Sequence, residues 1–281
     1  MPPELPSFDL VVATMGRVEE LERFLNSLAE QEYPRVRVLV VDQNEHAHLE
    51  PILSKGRVEA LHLRSEPGLS RARNAALEHV TADVVAFPDD DCVYPPGLLR
   101  RLAERLSSNL DLDGLTGRAE DDSGRSADSW KTAPAQLTDD NLWNRAISFT
   151  IFLRRSVIER VGTFDERLGL GSNEPWSSGE EIDYLIRAVR GHARIEYDPT
   201  FVVRHDVRTD DAPLGHRDGA SVGYLLRKHG YPLRTVARML VRPVGGVAVS
   251  LVRLDTQRAR FQLATLRGRI TGYRTSTRVA G

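Results

Sequence analysis

Three consecutive acids, Asp89, Asp90 and Asp91, stand directly after Val84–Phe87, a short apolar run of the kind that forms a buried strand. Crowded carboxylates repel one another, so the cluster is costly unless a cation or solvent compensates it. Hard divalent ions take carboxylate oxygens together with substrate phosphates, which makes a metal–diphosphate site the first chemistry to consider. A single Asp at a strand end is ordinarily a turn residue. Three in a row before Tyr94-Pro95-Pro96 favour a site.

A second group lies in Gly171-Ser-Asn-Glu-Pro-Trp-Ser-Ser-Gly-Glu-Glu-Ile-Asp183, a polar loop running into a helix whose first turn holds Glu180, Glu181 and Asp183. A helix N-terminus stabilises carboxylates as anions, and an anionic carboxylate near an acceptor hydroxyl is what a general base requires. The same spacing also reads as capping. Ser177-x-x-Glu180 and Ser178-x-x-Glu181 each fit a capping box, and the two registers free different glutamates. Trp176, just before this motif, either offers an aromatic face to a ligand or packs in the core. His205 follows Phe-Val-Val and should emerge at a strand end, where imidazole can complete a site begun by Asp oxygens. In Gly68-Leu-Ser-Arg-Ala-Arg-Asn74, Arg71 and Arg73 sit near a helix start, a natural place for an anion. The chain has no P-loop, no Gly-x-Gly-x-x-Gly fingerprint and no Cys/His zinc cluster.

The elements that must carry these residues alternate between two periods. Phe8–Ala13, Val36–Val41, Glu59–Leu63 and Val84–Phe87 read as strands. Val18–Leu28, a helix capped by Ser70 and running through His79, and Pro96–Leu110 read as helices. That alternation implies βαβ units and a mostly parallel sheet, which binds ligands at the carboxyl ends of its strands. Thr14, Asp42 and Asp89–Asp91 all fall just past such ends. The stretch 118–144 reads as a long loop. Further on, Ser148–Leu153 and Phe201–Val203 read as strands, and Ser156–Val161, Ile182–Val189 and His216–His229 as helices.

The 281 residues, 41% hydrophobic and 28% charged, describe an ordered globular chain. One cysteine, Cys92, allows no internal disulfide; no signal peptide is legible, and no apolar stretch reads as a membrane span. The expectation is a cytoplasmic protein, peripheral at the inner face of a membrane if its tail binds lipid. The net charge of −2 hides an asymmetry: from Leu233 onward there are ten arginines and one acid, Asp255. Pro243-Val-Gly-Gly246 should break this basic tail into two helices. The tail either rests on anionic lipid, docks on the acidic catalytic part, or forms a homodimer interface. Without a recognition motif, nucleic acid is not an expected partner.

Taken in order, Val11-Val-Ala-Thr-Met-Gly-Arg17, Val40-Val-Asp42, Gly68–Asn74, Phe87–Asp91, Phe164-Asp-Glu-Arg-Leu-Gly169, Gly179–Asp183 and Val203-Arg-His205 make the chain resemble a family 2 glycosyltransferase. The resemblance implies a GT-A type, Rossmann-like α/β fold. It implies a catalytic domain over 1–230, with a donor half to about 115 and an acceptor half over 116–230, and a basic helical extension over 231–281. It also implies inverting transfer of a sugar from a nucleotide-diphosphate donor to a hydroxyl of a glycan, lipid-linked or small-molecule acceptor, as in bacterial envelope or polysaccharide synthesis. By the same resemblance Thr14, Arg17, Asp42, Arg73, Asp89 and Asp90 bind the donor. Asp91 and His205, with Asp89 as a further ligand, hold Mg2+ or Mn2+. Glu181 is the base, Asp183 and Glu180 are alternatives, and Trp176 meets the acceptor. Two departures stand out: Glu181 occupies the usual Asp position of the base, and Gln43-Asn44 replaces Gly-Ser after the second strand. A sugar-nucleotide-binding protein with impaired catalysis is the alternative. Asp89-x-Asp91-x-Val93 also fits the nucleophile loop of haloacid-dehalogenase-like phosphatases, although that loop ordinarily follows the first strand.

Overall fold

The structure, a computed structural model, describes residues 5–46, 48–127, 130–206 and 211–275. The chain divides into two compact units, Met1–Phe164 with Tyr184–Val207, and Asp165–Asp183 with Arg208–Gly281. In chain order the elements are β1 (Phe8–Thr14), α1 (Val18–Ala29), β2 (Val36–Asp42), α2 (Glu50–Leu53), β3 (Glu59–Arg64), α3 (Leu69–Leu77), β4 (Val84–Ala86), α4 (Leu98–Ser108), β5 (Gly114–Glu120) and β6 (Ala135–Gln136). They continue with β7 (Ile151–Arg154), α5 (Arg155–Val161), α6 (Glu180–Arg190), β8 (Ile195–Arg204), α7 (Ala212–Lys228), α8 (Leu233–Val252) and α9 (Thr256–Thr275).

The first unit is a sheet in the order β3-β2-β1-β4-β7-β5-β8-β6. β3, β2, β1 and β4 run parallel, β7 pairs antiparallel with both its neighbours, and β8 runs parallel to β5. The apolar runs of β1, β2 and β4 are buried because a parallel sheet is covered on both faces. α1 turns Leu21, Phe24, Leu25 and Leu28 inward at helical spacing, each side chain contributing roughly 1.5–3 kcal/mol on burial. α4 does the same with Leu98, Leu99, Leu102 and Leu106.

Two local expectations change here. Ser70 does not cap α3; the cap is Gly68, whose φ of 139° is a region that a side chain disfavours, and Ser70 lies buried inside the first turn. The expected loop over 118–144 contains the end of β5, the short strand β6 and one turn of 3-10 helix at Leu142–Asn144.

In the second unit α7 and α9 pack closely enough that the backbone of each meets the other's glycines. A Cβ on Gly219, Gly223, Gly268 or Gly272 would overlap a carbonyl of the facing helix. The basic segment expected to begin at 231 thus packs, through α9, on a helix from the other side of that expected boundary. The break expected at Pro243 is absent: α8 is continuous, and the chain turns at Arg253–Asp255 instead. Proline at 243 deprives the Met239 carbonyl of its helical N–H donor. Arg269 Nη1 of α9 donates to that carbonyl, so the helix survives its proline. With the break gone, α8 is also long and apolar enough to cross a membrane by length and composition, contrary to the sequence expectation, and 28% of that window is buried.

Arg269→Met should therefore destabilise this unit by about 1–3 kcal/mol, because it orphans a carbonyl. In a Pro243→Ala background, where the replacement residue supplies the missing N–H, the same change should cost markedly less. Thermal melts of the four proteins of this double-mutant cycle read the coupling, and strict additivity would contradict the account.

Candidate active site

The carboxyl ends of β1, β2, β4 and β8 bring the acids and their partners to one edge of the first unit. Thr14 and Asp42 are register partners at the ends of β1 and β2. After β4 the chain carries Asp89–Asp91 and then forms a bridge with the end of β8, in which Val93 N donates to Arg204 O at 2.8 Å and Arg204 N to Val93 O at 2.9 Å. That bridge sets His205 beside the acids. His205 N donates to Glu120 O at 2.8 Å, and Phe149 stacks flat on the imidazole with centroids 4.5 Å apart.

The three aspartates face different partners. Asp90 is buried, accepting Thr14 Oγ1 at 2.7 Å and Arg17 Nη1 at 3.1 Å. Burial, with the charges of Asp91 and Asp89, pushes its pKa up to about 6 against the opposing pull of Thr14 and Arg17. Asp89 accepts Ser148 Oγ at 3.1 Å and lies 3.5 Å from Arg73 Nη2. Asp91 pairs with Arg17 through Oδ2, while Oδ1 lies 3.1 Å from His205 Nε2. Burial opposes ionisation of Asp91, but His205 and Arg17 outweigh it and hold the carboxyl at about 2. Burial likewise works against a charged His205, and the Asp91 carboxylate overcomes it and raises the pKa.

Two observations fit this group to a divalent cation. Oδ1 of Asp91 is buried and has no partner in hydrogen-bond geometry, close though His205 lies. His205 Nδ1 donates to Asp206 O at 2.8 Å, since a carbonyl only accepts. In the neutral ring that leaves the lone pair on Nε2, the tautomer a metal ligand needs. One ligand atom each from Asp89, Asp91 and His205 lie within 4.8 Å of one another. Two carboxylates and an imidazole suit a hard or borderline divalent ion.

Arg73 is 1% exposed, its guanidinium lying 5.5 Å from the ring centroid of Phe164 and 5.8 Å from that of Phe87. The next residue, Asn74, clamps Phe164: its Nδ2 donates to Phe164 O at 3.1 Å, and Phe164 N donates to its Oδ1 at 2.7 Å. Asp42 is fully buried. Burial opposes its ionisation, but donors from Asn44, then His62 and Arg64, bring its pKa below the usual carboxylate range. The unusual pair Gln43-Asn44 staples neighbouring loops: Gly16 N donates to Asn44 Oδ1 at 2.6 Å, and Gly68 N to Gln43 Oε1 at 2.8 Å.

The base candidates belong to the second unit. Asp183 is wholly buried and receives Lys228 Nζ at 2.6 Å and His229 Nε2 at 2.7 Å, an anchor for the α7 end. Glu180 is buried, and Glu181 is partly exposed. Ser178 Oγ bonds to Asp218 Oδ1 and Ser221 Oγ. Trp176, expected at the acceptor, is 2% exposed and stacks on Tyr224 at 4.4 Å, with Arg167 over both rings. Its placement follows the packing alternative. Residues that sequence reasoning missed include Ser148, Phe149 and Phe164. Phe164 opens the segment Phe164–Gly169, whereas nothing in Ser-Phe at 148–149 marks a partner of the acids.

A GT-A type fold is what this sheet and its edge define, and solved structures agree. A mannosyltransferase from Pyrobaculum calidifontis, solved with GDP-Man and Mn2+, superposes with a TM-score of 0.66 at 15% identity over 96% of this chain and 88% of that one. S. aureus TarS, solved with UDP-GlcNAc, gives a TM-score of 0.64 at 17% identity over 93% and 92%. The chain belongs to glycosyl transferase family 2, whose model matches residues 9–162, more than half of its length. The dehalogenase-like reading of the Asp loop falls with that match. Among curated relatives, the pre-mycofactocin glycosyltransferase of Mycobacterium tuberculosis (strain CDC 1551 / Oshkosh) is 29% identical over 226 residues, 74% of this chain. The chain spans about half the length of that relative, 45%. The succinoglycan biosynthesis protein ExoM of Rhizobium meliloti is 26% identical over 253 residues, 83% of this chain and 80% of the relative.

Asn74→Ala should lower stability by about 1–3 kcal/mol, because it leaves the Phe164 N–H and C=O without their partner. The drop in thermal midpoint measures it, and an unchanged midpoint would refute the clamp.

Proposed function

We propose that this chain transfers a sugar from a nucleotide-diphosphate donor to a hydroxyl, with inversion at the anomeric carbon. The observation that carries the reading is the unsatisfied Asp91 Oδ1 facing His205 Nε2, with Asp89 beside them, at the carboxyl edge of a parallel sheet. Mg2+ or Mn2+ held by Asp91, His205 and Asp89 would neutralise charge on the departing diphosphate. Thr14, Arg17, Asp42, Arg73 and Asp90 form the donor-binding set. Arg17 and Arg73 add fixed positive charge, and Thr14 keeps Asp90 oriented.

Glu181 is the base. Its two rivals are buried and Asp183 is held by Lys228 and His229, whereas Glu181 reaches solvent. It takes the acceptor hydroxyl proton as that oxygen bonds to the anomeric carbon. The bond from that carbon to the diphosphate oxygen breaks on the opposite face, and the nucleoside diphosphate leaves with the electron pair. One displacement inverts the anomer.

The relatives' names, a pre-mycofactocin glycosyltransferase and a succinoglycan biosynthesis protein, support a small-molecule or glycan acceptor. The solved neighbours carry a guanine and a uracil donor respectively, which supports a nucleotide-diphosphate sugar without naming its base. The reading places the chain in the cytoplasm, where such donors are made.

A thermal-shift screen of nucleotide sugars tests the metal. The matching donor with Mn2+ at 100 times its Kd should stabilise the wild type by about 2.7 kcal/mol. Asp91→Ala should lose the Mn2+-dependent part of that shift and its transfer activity, and full transfer by this variant would sink the assignment. Glu181→Gln should keep the donor shift and lose about 10²–10⁴-fold in transfer rate. If Asp183→Asn alone is inactive while Glu181→Gln works, the base is misassigned.

A further inference from the structure

We propose that the outward face of α8 and the turn into α9 form a docking surface for an anionic lipid bilayer. α8 has two faces. Thr235, Val236, Met239, Pro243 and Ser250 turn inward, in part against α9. On the opposite side Leu233, Val241, Val244, Leu251 and Val252 form an exposed apolar stripe. Arg234, Arg238 and Arg242 recur every four residues along one edge of it.

The stripe runs on into the turn. Val252 is 84% exposed and Leu254 87%, with Arg253 between them. Leu254 stands at φ 56°, a left-handed conformation that a leucine disfavours. A large apolar side chain is thus held out to solvent at a position that suits glycine or asparagine.

Charge selects the occupant. Over residues 233–275 there are nine arginines and one acid, Asp255, whose carboxylate is engaged by Arg258 N at the start of α9. Arg234, Arg242 and Arg253 make no ion pair among the described residues. Burial, then the charge of Arg242, pull Arg269 down to about 10. An antiparallel twofold contact between copies through this face would set arginine row against arginine row. An apolar stripe edged by arginines matches the headgroup boundary of an anionic leaflet instead. The inward face of α8 is committed to protein, so the helix lies in the interface rather than spanning it.

Flotation of the full chain tests this, with vesicles of phosphatidylcholine alone and with about 30% phosphatidylglycerol, an anionic content comparable to that of charged leaflets. The chain should float with the anionic vesicles, not with the neutral ones, and should be released by salt. Val252→Asp with Leu254→Asp, both at exposed positions, should abolish flotation at an unchanged melting temperature. Arg234→Glu and Arg242→Glu should each weaken it by about fivefold or more, since one arginine near such a surface contributes about that factor. No flotation, or equal flotation with both vesicles, overturns the proposal. So does a dimer, seen by sedimentation, that Val252→Asp with Leu254→Asp dissolves. The assay reads no sugar transfer, so its outcome is independent of the proposed reaction.

Discussion

Three neighbouring carboxylates at one edge of a sheet define what the rest of the first unit must supply. Left alone, they would repel each other and shift toward their protonated forms. The chain deals with each separately. Asp90 is turned inward to Thr14 and Arg17, and burial raises its pKa. Asp89 is met by Ser148 and Arg73. Asp91 faces Arg17 on one oxygen and His205 near the other. Arg17, Arg73 and His205 account for much of the compensation, and Asp91 Oδ1 is left buried with no partner in hydrogen-bond geometry. The metal argument rests on that one oxygen rather than on the number of acids.

Everything around the cluster serves that placement. The bridge between Val93 and Arg204 joins the loop after β4 to the end of β8, and Phe149 fixes the plane of the imidazole. The Asp206 carbonyl selects the tautomer. Arg73 reaches Asp89 only because Phe87 and Phe164 enclose it and Asn74 holds the Phe164 backbone. The motif Gly68–Asn74 is therefore a backbone device at its first residue, a charge at its sixth and a clamp at its last.

Much of this was legible in the sequence. β1, β2 and β4 are near-continuous β-branched or apolar runs, and Thr14, Asp42, Asp89–Asp91 and His205 stand at or just past the ends of such runs. β5 was missed because Gly-Leu-Thr-Gly-Arg-Ala-Glu has two glycines and two charges; pairing with β7 and β8, not propensity, makes it a strand. Ser148 and Phe149 were invisible as site residues because their partners lie far away in the chain. Pro243 misled for the same reason: its local penalty is real, and a side chain from α9 offsets it. The glycines of α7 and α9 recur at four-residue spacing, a sequence pattern that lets two helix backbones approach closely. Asp183 and Trp176 are both buried and partnered, Asp183 by Lys228 and His229 and Trp176 by the ring of Tyr224.

The central claim, that His205 completes a divalent cation site with Asp91, is tested most directly by pulsed electron paramagnetic resonance of Mn2+ added with a nucleoside diphosphate. The account predicts a nitrogen coupling from one imidazole, present in the wild type and absent in His205→Gln. A wild-type Mn2+ signal with no nitrogen coupling, or one that His205→Gln leaves unchanged, would contradict it.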